Sequence, residues 1–345
     1  MRWDIFCTVI DNHGDIGVCW RLAANLAARG EQVRLWVDDA AALTWMAPKG
    51  ALDVEVHTWS RNTHFAAPGD VVIEAFGCNI SGAVAQWPAA ARFSWINLEY
   101  LSAEPFAQHS HGLPSPVLSG PGMGRSKRFY YPGFMPGTGG LLRETNLAHR
   151  QAGFDRAAWL AQQGIALRPG EKVVSLFCYE PAALPELLAQ LGGQSTRLLV
   201  TPGRAYAAVQ KALEPSPSWR GLLSFLNLPY LNQAGFDHLL WASDLNFVRG
   251  EDSLVRALWA GQAFIWQIYP QDDGAHAAKL EAFLDWLQAP ADLRRFHRVW
   301  NGLEAGPLPP VNRPAWQAAA RLARQRLLEQ SDLVTQLLGF VQKTR

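Results

Sequence analysis

The sequence has no surplus of charge of either sign. Its 31 Lys and Arg stand against 30 Asp and Glu, a formal net charge of +1, and charged residues make up only 18% of the chain. That balance excludes the basic footprint of a nucleic-acid binder and the charge-rich, apolar-poor composition of a disordered chain. Cysteine is scarce. Cys7, Cys19, Cys78 and Cys178 form no C-x-x-C pair and no grouping with His at zinc spacing, which excludes a disulfide framework and a structural zinc site. They read as reduced, buried thiols of an intracellular protein. No apolar run approaches the roughly 20 residues that a spanning helix needs. The N-terminal "WDIFCTVI" is interrupted by Asp4 and followed by Asp11, too short and too broken for a signal peptide. The expectation is a soluble, cytoplasmic protein with no membrane and no nucleic-acid partner. There is also no D-x-D triplet. Asp38–Asp39 and Asp272–Asp273 are adjacent pairs suited to solvated turns, so no metal ligand set is expected.

What the chain does have is length, at 345 residues, and apolar content, at 49%, enough for two cores. Its 15 Trp read first as packing residues. The first third alternates strand-like and helix-like segments. "WDIFCTVI", "QVRLWVDD", "DVEVHTW", "DVVIEAF" and "RFSWINLEY" are strands, and residues 17–29 are a helix closed by Gly30. A second series opens at "EKVVSLFCYE" and continues through "TRLLVTP", "LLSFLNLPYL", "HLLWASDLNFVRGEDS" and "QAFIWQIYP". Such alternation predicts parallel sheets covered by helices. The fold expected is α/β, with two facing doubly wound domains and a cleft between them. The first spans residues 1–165 and the second 166–324, with a C-terminal helix at about 325–345 returning to the first. Between them, residues 119–142 are dense in Gly and Pro around Arg125, Lys127 and Arg128, and read as a long surface loop.

Two stretches carry chemistry. In "DNHGDIGVCWRLA", Asp11 and Asp15 stand at the exit of the first strand, where ligands bind on such sheets. Asp15 also suits a cap of the helix that follows, so base and cap remain open at this point. In "NFVRGEDSLVRALWAG", a short strand ends in Arg249, and Glu251, Asp252 and Ser253 open a helix. Helix-start amides beside an arginine suit a diphosphate, while Asp252 and Ser253 also suit N-caps. Acids at Asp11 and Asp15, where G-x-G-x-x-G would cradle a pyrophosphate, count against a nicotinamide dehydrogenase.

These two stretches, with "WINLEYLSAE" and "YYPGFMPGTGGLLRE", occur in order over nearly the whole chain. In them the sequence resembles the bacterial arginine rhamnosyltransferases that modify elongation factor P. The resemblance implies the GT-B glycosyltransferase fold, with the acceptor in the N-terminal Rossmann-like domain and the nucleotide sugar mostly in the C-terminal one. It implies inverting transfer of rhamnose from dTDP-β-L-rhamnose to one arginine of elongation factor P, with no cofactor and no metal. Residue by residue, it gives Asp15 as the catalytic carboxylate, Asp11 as its acidic neighbour and Glu251 as a further residue needed for activity. It gives Arg249, Asp252 and Ser253 as donor contacts, and Phe177 and Tyr179 as aromatic positions at the nucleotide. Gln233 and Phe236 fall near the thymine and Tyr269 at the diphosphate. The acceptor explains the paired acids. A guanidinium is protonated below a pKa of about 12, and a carboxylate can orient one nitrogen and take its proton. Two other readings stand beside this one: a GT-B transferase with another sugar or acceptor, and a non-catalytic nucleotide-sugar sensor.

Overall fold

The computed structural model describes residues 1–10, 13–60, 62–65, 67–214 and 222–344. They form two compact units, Met1–Thr145 together with Gln330–Arg345, and Asn146–Glu329. Residues 146–165, placed by the sequence pattern at the end of the first domain, therefore pack with the second.

The first unit is built on a seven-stranded sheet. In chain order it contains β1 (Arg2–Cys7), α1 (Gly14–Ala27), β2 (Gln32–Val37), α2 (Leu43–Met46), β3 (Val54–Thr58), β4 (Val71–Ala75), α3 (Ser81–Gln86), β5 (Ser94–Leu98), α4 (Pro105–Ser110), β6 (Pro114–Pro116) and β7 (Ser126–Tyr130). The strand order is β3-β2-β1-β4-β5-β7-β6, parallel throughout except for the β6–β7 pair. β1 is central, and Trp3 to Cys7 are buried, as a parallel strand covered on both faces must be. One of those residues is Asp4. It accepts two hydrogen bonds from Arg34 (2.6 and 2.7 Å), one from Trp36 Nε1 (3.0 Å) and one from the Gly69 amide (2.6 Å), which makes its burial tolerable. Gly69 has to be glycine: a Cβ there would sit 2.5 Å from the Arg2 carbonyl oxygen.

α1 forms because Ile16, Cys19, Ala23 and Leu26 recur at three- and four-residue spacing and bury one stripe on the sheet. The residues from 330 onward complete this core. Leu333, Val334, Leu337 and Val341 join the cluster built around β1 and α1, and Arg29 pairs with Asp332 at 2.6 Å. The C-terminal pattern is thus two helices: one ends at Leu328 in the second unit and one runs Leu333–Thr344 in the first.

The stretch 119–142 corrects the sequence reading of a surface loop. It contains β7, parallel to β5, and buries Tyr130, Phe134, Leu141 and Leu142. Lys127, read as part of an exposed basic cluster, is ion-paired with the buried Glu74 of β4 and lies over the Trp95 ring at 4.8 Å. Arg125 donates to the carbonyls of Ala89 and Ala91.

The second unit contains α5 (Leu147–Ala152), α6 (Arg156–Gln162), β8 (Lys172–Leu176), α7 (Leu184–Gly192), β9 (Thr196–Val200), α8 (Arg204–Leu213), β10 (Leu223–Asn227), α9 (Gln233–Ala242), β11 (Leu245–Arg249), α10 (Gly250–Ala260), β12 (Ala263–Gln267), α11 (Ala275–Leu287), α12 (Ala291–Trp300) and α13 (Arg313–Leu328), with α14 (Leu333–Thr344) following in the first unit. Its five strands are parallel, in the order β10-β9-β8-β11-β12. Trp259, Trp266, Trp300 and Trp316 are fully buried here, so the abundant tryptophan is largely packing. The cysteines of both units are free and buried.

Candidate functional site

In the second unit the chain steps from β8 through β9 to β10 in one direction, then returns to lay β11 and β12 on the other side of β8. The carboxyl ends of β8 and β11 therefore border the switch point, where open parallel sheets leave a crevice for ligands. Phe177 and Tyr179 follow β8, and Arg249 ends β11. The loop after β8 is fixed by backbone bonds: the Phe177 amide donates to Phe247 O (2.9 Å) and the Tyr179 amide to Gln267 Oε1 (2.8 Å).

Arg249 is buried, at 9% exposure. Its guanidinium carbon lies 4.5 Å from the ring centre of Phe177 and 4.5 Å from that of Tyr179, and Nη1 donates to Cys178 O at 3.5 Å. Stacking on two rings fixes the plane of a side chain that otherwise has several free torsions. Ser253 does not cap α10. Its hydroxyl accepts from the Arg249 amide (3.1 Å) and donates back to the Arg249 carbonyl, so it anchors the backbone that carries the guanidinium. Arg249 is itself the N-cap residue, and its side chain makes no cap bond. The first-turn amides of an α-helix have no partner within it, and such a helix start beside an arginine suits an anion.

The other predicted residues gather around this pair. Phe236 packs edge to face on Phe177, with ring centres 5.6 Å apart. Gln233 lies one turn before it, at the start of α9, which Asn232 caps by accepting from the Gly235 amide at 2.8 Å. Tyr269 meets Tyr179 edge-on at 5.8 Å and is 44% exposed. Glu251 and Asp252 lie in the first turn of α10, and Glu251 is ion-paired with Lys279 of α11. Next to it a buried charge cluster ties α9 and α10 together. Asp237 of α9 accepts two bonds from Arg256 of α10 (2.8 and 2.7 Å) and one from Arg150 of α5 (3.0 Å).

Two residues here were missed from the sequence. Arg204, the first residue of α8, lies with its guanidinium carbon 4.8 Å from the Tyr179 ring centre and forms a two-pronged ion pair with Glu180. The pairing holds the Glu180 carboxyl below its usual range. "TPGR" is also a strand end followed by a helix start, so the rule that selected Arg249 would have found Arg204.

In the first unit, the sheet changes direction at β1 and β4, and Asp15 lies just beyond the end of β1. It is 5% exposed, in the first turn of α1, and its Oδ2 accepts from the Ile10 amide at 2.9 Å. It is not the N-cap residue, a position held by His13 without a side-chain cap bond. Asp11 lies outside the described residues. Nearby thiols are poor nucleophile candidates. Burial pushes Cys78 up to about 12, and a bond to Cys7 together with burial raises Cys19 well above its ordinary value. In the second unit burial likewise pushes Cys178 up to about 12.

Among the described residues, no group of three or more His, Cys, Asp or Glu could hold a metal ion, and no helix is long and apolar enough to cross a membrane.

A protein-arginine rhamnosyltransferase of Pseudomonas putida is 43% identical to this chain over an alignment covering 98% of each. The same-named protein of Neisseria meningitidis serogroup B is 36% identical, over 81% of this chain and 77% of that one. A structure reported as the structural basis for EarP-mediated arginine glycosylation of translation elongation factor EF-P matches all of this chain and 99% of its own, with a TM-score of 0.68 and 33% identity. MurG of Acinetobacter baumannii, at 14% identity and a TM-score of 0.53, shares the fold, which is GT-B. With the family model matched across residues 3–342, the chain belongs to the Elongation-Factor P (EF-P) rhamnosyltransferase EarP family.

Proposed function

We propose that this protein transfers rhamnose, with inversion, from dTDP-β-L-rhamnose to an arginine side chain of elongation factor P in the cytoplasm, without a metal ion. The second unit binds the donor and the first supplies the acceptor side. The observation that carries the donor half is Arg249. Its guanidinium is clamped by Phe177 and Tyr179 beside a helix start, on a sheet switch point. That arrangement offers fixed positive charge to a diphosphate, whose leaving-group charge grows as the glycosidic bond breaks. Tyr269 adds a partly exposed phenol at the same edge, and Asp252 lies in the first turn of the helix whose start meets the anion. Phe236, with Gln233 one turn before it, forms the wall for the thymine ring against Phe177. Tyr179 is too buried to stack on a base and instead holds Arg249.

Asp15 is the general base. A guanidinium nitrogen becomes nucleophilic only as it loses a proton, and a buried, fixed carboxylate can pair with the cation and take that proton in the transition state. Asp11 grips the other side of the guanidinium. Glu251, held by Lys279, orients sugar hydroxyls or the helix-start amides, a role suited to a carboxylate whose charge is already compensated. The deciding experiment is intact-mass analysis of elongation factor P incubated with this protein and dTDP-rhamnose. The expected result is a gain of one deoxyhexose, abolished when the target arginine is changed to lysine. No gain with dTDP-rhamnose, but a gain with another nucleotide sugar, would refute the donor assignment.

A further inference from the structure

Arg204 and Glu180 have no part in the assignments above, yet they stand at the same edge of the sheet. β9 lies beside β8, so the residue that opens α8 after β9 comes up next to the loop that follows β8. Gly203, at φ +82, turns the chain there so that Arg204 faces Tyr179. Tyr179 thus carries two guanidinium groups on one ring, Arg249 at 4.5 Å and Arg204 at 4.8 Å. Their carbons can be no farther apart than the sum of those distances, a span that a diphosphate between them can bridge. Two like charges held this close repel, and an anion between them relieves the repulsion. Glu180 currently supplies negative charge to Arg204, but both partners are about half exposed, 54% and 44%. Exposed ion pairs of this kind contribute little to folding, and their partners exchange readily.

We propose that Arg204 is a second donor-binding arginine that meets the diphosphate of the nucleotide sugar together with Arg249, and that the Glu180 carboxylate is the anion it leaves to do so. The proposal rests on the reading of this edge as the donor site. Arg204 then acts on the phosphates and not on the base. Glu180 acts as a competitor, so its charge lowers donor affinity.

Calorimetry with the full-length protein tests this, using dTDP and thymidine as probes. Arg204→Gln is expected to weaken dTDP by about tenfold or more, the scale of one charge-assisted hydrogen bond, while thymidine binding stays as in the wild type. Glu180→Gln is expected to strengthen dTDP binding, a direction that misfolding cannot produce. Unchanged dTDP affinity in Arg204→Gln, or equal losses for dTDP and thymidine, overturns the proposal and leaves the Arg249 site standing. Unchanged or weakened dTDP binding in Glu180→Gln removes the competitor role. A wild-type protein that does not bind dTDP overturns the donor reading itself.

Discussion

Replacing Asp15 by Asn separates a catalytic carboxylate from a structural one. The Asp15 Oδ2 accepts the Ile10 amide at 2.9 Å, and an Asn carbonyl oxygen can accept the same bond. The fold should therefore be kept, while the charge and the basicity are lost. If Asp15 takes the guanidinium proton, the rate should fall by at least about 10²-fold, or about 2.7 kcal/mol of barrier. Asp15→Ala removes the bond as well. The bond to the Ile10 amide is worth about 0.5–1.5 kcal/mol. At roughly 2–4 °C per kcal/mol for a unit of this size, that is a shift in melting temperature of a few degrees. The two variants should thus share the rate loss and differ in melting temperature. The assay is single-turnover transfer to elongation factor P at saturating donor and acceptor, read by intact mass, beside thermal unfolding of the same preparations. A near-wild-type rate in Asp15→Asn refutes the base assignment, and a rate loss confined to Asp15→Ala reduces Asp15 to a tether of its loop.

Arg249→Lys keeps the charge but loses the planar stack on two rings. At about 0.5–1 kcal/mol per ring, dTDP should bind roughly five- to thirtyfold more weakly by calorimetry, and equal affinity would show that the stack does not organise the site. Phe236→Ala should weaken both thymidine and dTDP without a large fall in melting temperature, since Phe236 is only half buried; a large fall with affinity retained would make it a core residue. Arg256→Met leaves Asp237 in a buried place with Arg150 still bonded to it, so the loss should sit near the lower end of the usual 3–5 kcal/mol for breaking a buried pair, read as a drop in urea midpoint. His297 is fully buried, donates from Nδ1 to Leu293 O and accepts the Trp266 amide at Nε2, and burial lowers its pKa to about 4. The unfolded chain, with a value near 6.5, binds the extra proton first. Stability is therefore full above about pH 6.5 and declines as pH falls towards 4, by up to about 3 kcal/mol. A His297→Gln variant should lose that slope, and an unaltered slope would place the effect elsewhere.

The alternation of short apolar runs with helical patterns made both sheets legible, because most buried strands are mainly apolar runs bounded by turn residues, even where one polar residue such as Asp4 or Glu74 interrupts them. β7 escaped for a physical reason. It is five residues long, it carries Lys127 and Arg128, and glycines and prolines that belong to the turns on either side dominate its window. A lysine that neutralises a buried glutamate two strands away leaves no trace in local periodicity. The R-G-E-D-S turn was legible, but the division of labour within it was not. Ser253 suggested a cap and proved to be a backbone anchor, because the helix begins four residues earlier than a cap at that position requires. Arg204 was findable as a strand-end arginine at a helix start, but its pairing with Glu180 is adjacent in space and not in sequence, and does not show until β8 and β9 are placed side by side.

The first unit is made of two separated segments, and that sets an order of events during synthesis. The ribosome makes residues 1–145 first, yet the core they build lacks Leu333, Val334, Leu337 and Val341 until the chain has passed residue 341. The second unit, residues 146–329, is meanwhile complete. At roughly 5–20 residues per second, the first unit waits about 10–40 s with part of its apolar surface uncovered. The usual N-terminal-first sequence of domain folding is thereby inverted: the middle of the chain can finish before its beginning. A nonsense codon between residues 330 and 341 would damage the unit that carries Asp15 while leaving the one that carries Arg249 intact. Such truncated chains should retain dTDP binding, lose transfer, and be cleaved by protease within the first 145 residues.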